Sequence, residues 1–75
     1  MRIKVETGSW ASRYINSRAL YVDMPENSTI ADIIKAIGLP PDITGLAALD
    51  GKAVPREYCP SDGDTMKFYP VIVGG

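Results

Sequence analysis

The chain has 75 residues, enough for one domain and too few for a second. Its 45% hydrophobic and 23% charged content fits a folded core and not a disordered tail. A formal net charge of −1 supplies none of the basic excess that nucleic-acid binding draws on, which argues against a polyanion partner.

Ile3 and Val5 alternate with Arg2, Lys4 and Glu6, the pattern of a half-buried strand. Gly8-Ser9 opens a polar connection that runs to about Arg18 and holds Trp10, Tyr14 and Ile15. Leu20, Val22 and Met24 then alternate with Tyr21 and Asp23 in a second strand, which Pro25 stops. These two strands form a hairpin with a long, irregular connection.

Ile30, Ile33, Ile34 and Ile37 follow at i, i+3, i+4 and i+7, the stripe of one amphipathic helix. Thr29, or Ser28 beside it, supplies an N-cap oxygen, and Asp32 lies near the positive end of the helix dipole. Gly38 is the expected left-handed residue at the C-terminus, Leu39 packs back after it, and Pro40-Pro41 forbid continuation. At about two and a half turns the helix is marginal alone, so it must lie on a sheet.

Leu46-Ala47-Ala48-Leu49 and Lys52-Ala53-Val54 flank Asp50-Gly51, a strong two-residue hairpin signal that Pro55 ends. Asp62-Gly63-Asp64 is another turn, and Met66 and Phe68 alternate with Lys67 and Tyr69 in a last strand. Pro70 has no N–H to donate, so regular pairing is expected to fade there. One helix against a mixed sheet of four to five strands in this order is an α+β fold, the β-grasp. The expected organisation is a single domain over residues 1–75 with a flexible C-terminal tail at 70–75.

That tail, Pro70-Val71-Ile72-Val73-Gly74-Gly75, follows the strand with no turn or polar anchor and spans roughly 20 Å if extended. Two terminal glycines arise by chance in about one chain in 200. A loose end or a cloning remnant is the bland reading, although no tag is visible elsewhere. Functionally, a glycine carboxylate has no Cβ beside it, so a narrow channel admits backbone up to the reacting carbon. Carboxylates need activation, most simply as an acyl-adenylate made from ATP. The chain has no phosphate-binding glycine loop and no histidine, so a partner must perform that step. The missing histidine also removes imidazole metal ligands, and a single cysteine excludes a CxxC pair. No metal site and no bound cofactor are expected. No stretch approaches the roughly 18 apolar residues that span a bilayer, and a cytoplasmic protein is the default.

These residues resemble the ThiS/MoaD sulfur carriers, β-grasp relatives of ubiquitin. The resemblance rests on Thr29-Ile30-Ala31-Asp32-Ile33-Ile34 and Ile37-Gly38-Leu39-Pro40 at the helix ends. It continues in Leu49-Asp50-Gly51-Lys52-Ala53-Val54-Pro55-Arg56 and Asp62-Gly63-Asp64, and closes in Phe68-Tyr69-Pro70-Val71-Ile72-Val73-Gly74-Gly75. It implies a carrier that is itself no enzyme. An E1-like adenylyltransferase would activate Gly75 with ATP and Mg²⁺, and a sulfur donor would convert it to a thiocarboxylate. Thiazole synthase or the large subunit of molybdopterin synthase would take the sulfur. Gly74, Val73, Ile72, Val71 and Pro70 would lie against these partners. Phe68-Tyr69-Pro70-Val71 and the long first hairpin resemble the molybdopterin branch, and Val54-Pro55-Arg56 with the short chain resembles the thiamine branch. The balance falls slightly to molybdopterin. Alternatives are a ubiquitin-like modifier conjugated through Gly75 and a β-grasp interaction module with an inert tail.

Other candidates have plain readings. Cys59, beside Pro60, invites a persulfide role but reads better as a buried or incidental thiol. Trp10 and Tyr14 form a partner patch or cover the open end of a small core. Asp62 and Asp64 fit a turn better than a metal. Arg56 either meets an acidic partner or is solvated.

Overall fold

The computed structural model describes residues 1–72. Five strands and one α-helix follow in the order β1 (Arg2–Glu6), β2 (Ala19–Asp23), α1 (Ile30–Ile37), β3 (Thr44–Leu49), β4 (Lys52–Val54) and β5 (Thr65–Pro70). The strands form one mixed sheet in the order β2-β1-β5-β3-β4. β1 and β5 pair in parallel at its centre, while the β1–β2, β3–β4 and β3–β5 pairs are antiparallel. The α+β reading with a five-stranded β-grasp sheet holds.

The helix forms where its stripe and caps place it. The Thr29 hydroxyl accepts from the Asp32 N–H at 3.2 Å and the Asp32 carboxylate accepts from the Thr29 N–H at 3.0 Å, a reciprocal capping box. Gly38 adopts φ 86°, and the Leu39 N–H donates to the Ile34 carbonyl at 3.2 Å, closing the helix. Ile30, Ile33 and Ile34 are buried against Ile3 and Val5 of β1, Met66 and Phe68 of β5, and Ala47 of β3. Ile37, last of the stripe, is half-buried at the rim. Each buried isoleucine contributes about 1.5–3 kcal/mol, and without that burial a helix of this length would not persist.

The first connection is more ordered than expected. Thr7 N–H donates to the Arg18 carbonyl at 2.8 Å, and Ser9–Ala11 forms one 3-10 turn with Ala11 fully buried. The two aromatics of this connection part company. Trp10 packs half-buried against the core, which is the covering role, whereas Tyr14 is exposed. The β3–β4 hairpin turns as expected, with Asp50 at φ 50° and Gly51 at φ 78°. The Asp62-Gly63-Asp64 carboxylates are occupied in local structure. Asp62 accepts from the Arg2 N–H at 2.6 Å and Asp64 from the Ser61 N–H at 2.8 Å. Among the described residues no cluster of acidic, cysteine or histidine side chains could hold a metal, and no helix is long and apolar enough to cross a membrane.

Two expectations need correction. β3 starts two residues before the apolar run, at Thr44, because the Thr44 side chain is buried and its hydroxyl donates to the Pro40 carbonyl at 3.2 Å. Pairing also does not fade at Pro70. Pro70 is the last residue of β5, opposite Thr44, and the Val71 N–H carries the ladder one step further by donating to the Ile43 carbonyl at 2.9 Å. The missing proline donor is therefore bridged by the next residue, and the expected boundary of the tail at Pro70 moves outward past Val71.

Candidate functional site: the root of the C-terminal segment

Val73, Gly74 and Gly75, the residues on which the sequence places the chemistry, lie outside the described residues. Pro70, Val71 and Ile72 are described, and they form the root from which that segment continues. β5 delivers them. Its buried residues Met66 and Phe68 fix the strand in the core, and the alternation sends Lys67 and Tyr69 to the outer face. Val71 continues the Tyr69 side of the strand and is 43% exposed, and Ile72 is 89% exposed. Leu46, directly opposite Tyr69 in the ladder, is also exposed. The root is thus an apolar strand end held at Val71 and open to solvent at Ile72.

What holds it comes from β3. The register passes from Leu46 opposite Tyr69 to Thr44 opposite Pro70, so Gly45 is the extra residue of a β-bulge. A Cβ on Gly45 would lie 2.8 Å from the Pro70 carbonyl oxygen and 2.9 Å from the Val71 Cα. Only a residue without a side chain lets the two backbones approach this closely. Behind the bulge, the Arg56 guanidinium donates to the Pro41 carbonyl at 2.9 Å and also to the Thr44 carbonyl. Arg56 is half-buried, which corrects the reading of a freely solvated side chain; it fastens the 41–44 segment to the chain after β4. The same stretch reaches the helix, because the Ile30 and Ala31 N–H groups donate to the Tyr58 and Arg56 carbonyls at 2.9 and 3.1 Å.

The sequence reading passes over Gly45 and weighs Arg56 only as an acidic-partner contact or a solvated side chain. A glycine next to an apolar run is a recognised bulge signal, and it was available at Gly45. Nothing local marks Arg56, whose partners lie 12 and 15 residues away. Cys59 is exposed, which corrects the buried reading; its Sγ lies 3.5 Å from the Asn27 carbonyl and 3.8 Å from that of Glu57.

Sheet order and the single helix define the class: a ubiquitin-like β-grasp. The sequence matches the Mut7-C ubiquitin family over residues 6–73, and the chain belongs to that family. The match stops two residues short of the end of the chain. No curated protein sequence matches the chain. Among solved structures, the chain is similar to a putative molybdopterin converting factor, subunit 1, from Pyrococcus furiosus, with TM-score 0.81 and 17% identity over 96% of this chain and 99% of that one. It is similar to small archaeal modifier protein 1 from Haloferax volcanii, with TM-score 0.75 and 16% identity over 95% and 98%. A third similarity is to a protein–protein complex of subunits 1 and 2 of molybdopterin-converting factor from Helicobacter pylori, with TM-score 0.59 and 14% identity over the full length of both chains. At these identities the likeness is one of fold.

Proposed function

We propose that this protein is a cytoplasmic sulfur carrier that works through the carboxylate of Gly75 and is a substrate of partner enzymes, not an enzyme. The observation that supports this reading best is the root of the tail. β5 ends in a held, solvent-facing apolar strand end, and the sequence continues from there directly to Val73-Gly74-Gly75. The chemistry follows from what a carboxylate needs. An oxygen of Gly75 attacks the α-phosphorus of ATP on an E1-like adenylyltransferase with Mg²⁺, pyrophosphate leaves, and an acyl-adenylate results. A sulfur donor delivers a sulfide equivalent to the acyl carbon and AMP leaves, which gives a thiocarboxylate. Its sulfur, more nucleophilic than a carboxylate oxygen, adds to a carbonyl carbon of a cofactor precursor, where the C=O π bond opens and the oxygen later leaves as water. Water then cleaves the acyl–sulfur bond, and the carboxylate is restored.

The acceptor we favour is a molybdopterin precursor over the thiamine thiazole. Phe68-Tyr69-Pro70-Val71 and the long first hairpin support it, as does the fold likeness to molybdopterin converting factor subunits. The partner would then be a synthase large subunit, by analogy with the Helicobacter complex of subunits 1 and 2; on the thiamine route it would be thiazole synthase. Likeness to a small archaeal modifier protein favours a second reading, in which the same activated Gly75 becomes amide-linked to lysines of other proteins.

Intact mass spectrometry of protein made in its native host tests these readings. A fraction with sulfur in place of one terminal oxygen is expected. Recovery only as adducts to other proteins would favour the modifier. If the mass stays unchanged alongside a demonstrably active adenylating enzyme, the β-grasp serves as an interaction module with an inert tail.

A further inference from the structure

We propose that Gly45 is a positioning residue for the C-terminal segment, acting through the backbone of Pro70 and Val71. The bulge at Gly45 seats the Pro70–Val71 peptide, the Ile43 carbonyl pins the Val71 N–H, and Arg56 holds the strand start that carries both. The inference deepens the carrier reading, since a seated root matters only if a partner takes the tail.

The geometry singles out this position. Gly45 is the one residue of β3 without a partner of its own in the β5 ladder, and it approaches the other backbone closely enough to exclude any Cβ. Contacts of 2.8–3.0 Å with backbone atoms cannot be relieved by a rotamer change. A methyl at this position must push the Pro70–Val71 peptide outward, which breaks the 2.9 Å bond from Val71 to Ile43. The length of chain a partner must order would then grow by about one residue, Val71, because the Pro70 ring already fixes its own φ. Ordering one backbone residue corresponds to roughly ten-fold in binding. Holding the backbone at Val71 is thus a form of preorganisation. Arg56 matters for the same reason. The carbonyls of Pro41 and Thr44 flank Ile43, and one guanidinium nitrogen, Nη2, ties both.

Amide hydrogen exchange on the intact chain, followed by NMR, tests the seat without any partner. In the wild type the Val71 amide should be protected. Gly45→Ala should speed its exchange ten-fold or more, while Met66 and Phe68 amides stay within about three-fold. A wild-type Val71 amide that exchanges freely, or one unchanged by Gly45→Ala, overturns the seat. If Gly45→Ala fails to protect Met66 and Phe68, Arg56→Met replaces it. That variant keeps a long aliphatic stem but donates to neither carbonyl, and the same selective loss at Val71 is expected. Kinetics of ATP-dependent activation then test positioning: KM for the chain should rise about ten-fold with kcat within two-fold. Loss of Val71 protection with both constants unchanged overturns positioning while leaving the seat. A wild type that no adenylating enzyme activates defeats the carrier reading and with it the positioning role, whereas the exchange result stands on its own.

Discussion

The Val71 N–H donates to the Ile43 carbonyl at 2.9 Å, one residue beyond the proline that ends β5. This bond marks where the folded body stops among the described residues, since Ile72 is already 89% exposed. A truncation series should show the boundary. Chains ending at Val71 should unfold within about 0.5 kcal/mol of the full chain, the range of surface changes away from packing. Removing Val71 as well should cost about 1 kcal/mol more, the net worth of one hydrogen bond. Urea melts read both steps, and a large loss on removing residues 72–75 would show that the tail is structural.

Arg56 should matter more to stability than a half-buried arginine ordinarily does. Arg56→Ala strips donors from the Pro41 and Thr44 carbonyls, and Thr44 is 1% exposed, so its carbonyl has poor access to water. An unpaired buried acceptor costs about 1–3 kcal/mol, and we expect a loss in that range with an unchanged m-value. A change below 0.3 kcal/mol would mean that water replaces the guanidinium freely.

The difference between Arg56 and α1 shows which parts of the fold were legible. The helix is written locally: four isoleucines give its face, Thr29 and Asp32 its start, and Gly38 its end, all within ten residues. The Asp50-Gly51 turn is equally local, because positive φ at both positions restricts which residues fit. β3 was misjudged at its start because Thr44 enters the core through a hydroxyl bond to Pro40, which hydropathy does not display. The seat of the tail combines Gly45, Ile43, Arg56 and Val71, and that grouping exists only once β3 and β5 are side by side. The sequence reading places its chemistry on the terminal diglycine, which lies outside the described residues.

The capping box offers a control remote from the tail. Thr29→Ala removes the oxygen that accepts from the Asp32 N–H and breaks the reciprocal pair. The expected cost is about 1 kcal/mol in a denaturant melt. At temperatures where the variant stays folded, sulfur loading should be unaffected, which separates marginal stability from damage at the root.

Cys59 should be dispensable. It is exposed and the chain has no histidine to serve as its base. Cys59→Ala should shift stability by less than about 0.5 kcal/mol and leave sulfur loading within a few-fold of wild type. Abolished loading in a folded variant would move the sulfur chemistry from the terminus to this thiol.

The sharpest test lies at the terminus itself. Deleting Gly74 and Gly75 leaves β5, the Gly45 bulge and the Val71–Ile43 bond untouched, so the melt should not move by more than about 0.5 kcal/mol. Activation should nevertheless vanish, because the new terminal carboxylate sits on Val73, whose branched Cβ crowds a channel shaped for bare backbone. Gly75→Ala adds a single methyl beside the reacting carbon and should fold normally while being activated poorly, between wild type and the deletion. ATP–pyrophosphate exchange with the adenylating partner measures all three chains side by side. An order of wild type, then Gly75→Ala, then the deletion at background would tie activation to the absence of a side chain at the last residue. Equal exchange by all three would show that the partner reads the folded body alone, and the diglycine would then have no part in the chemistry.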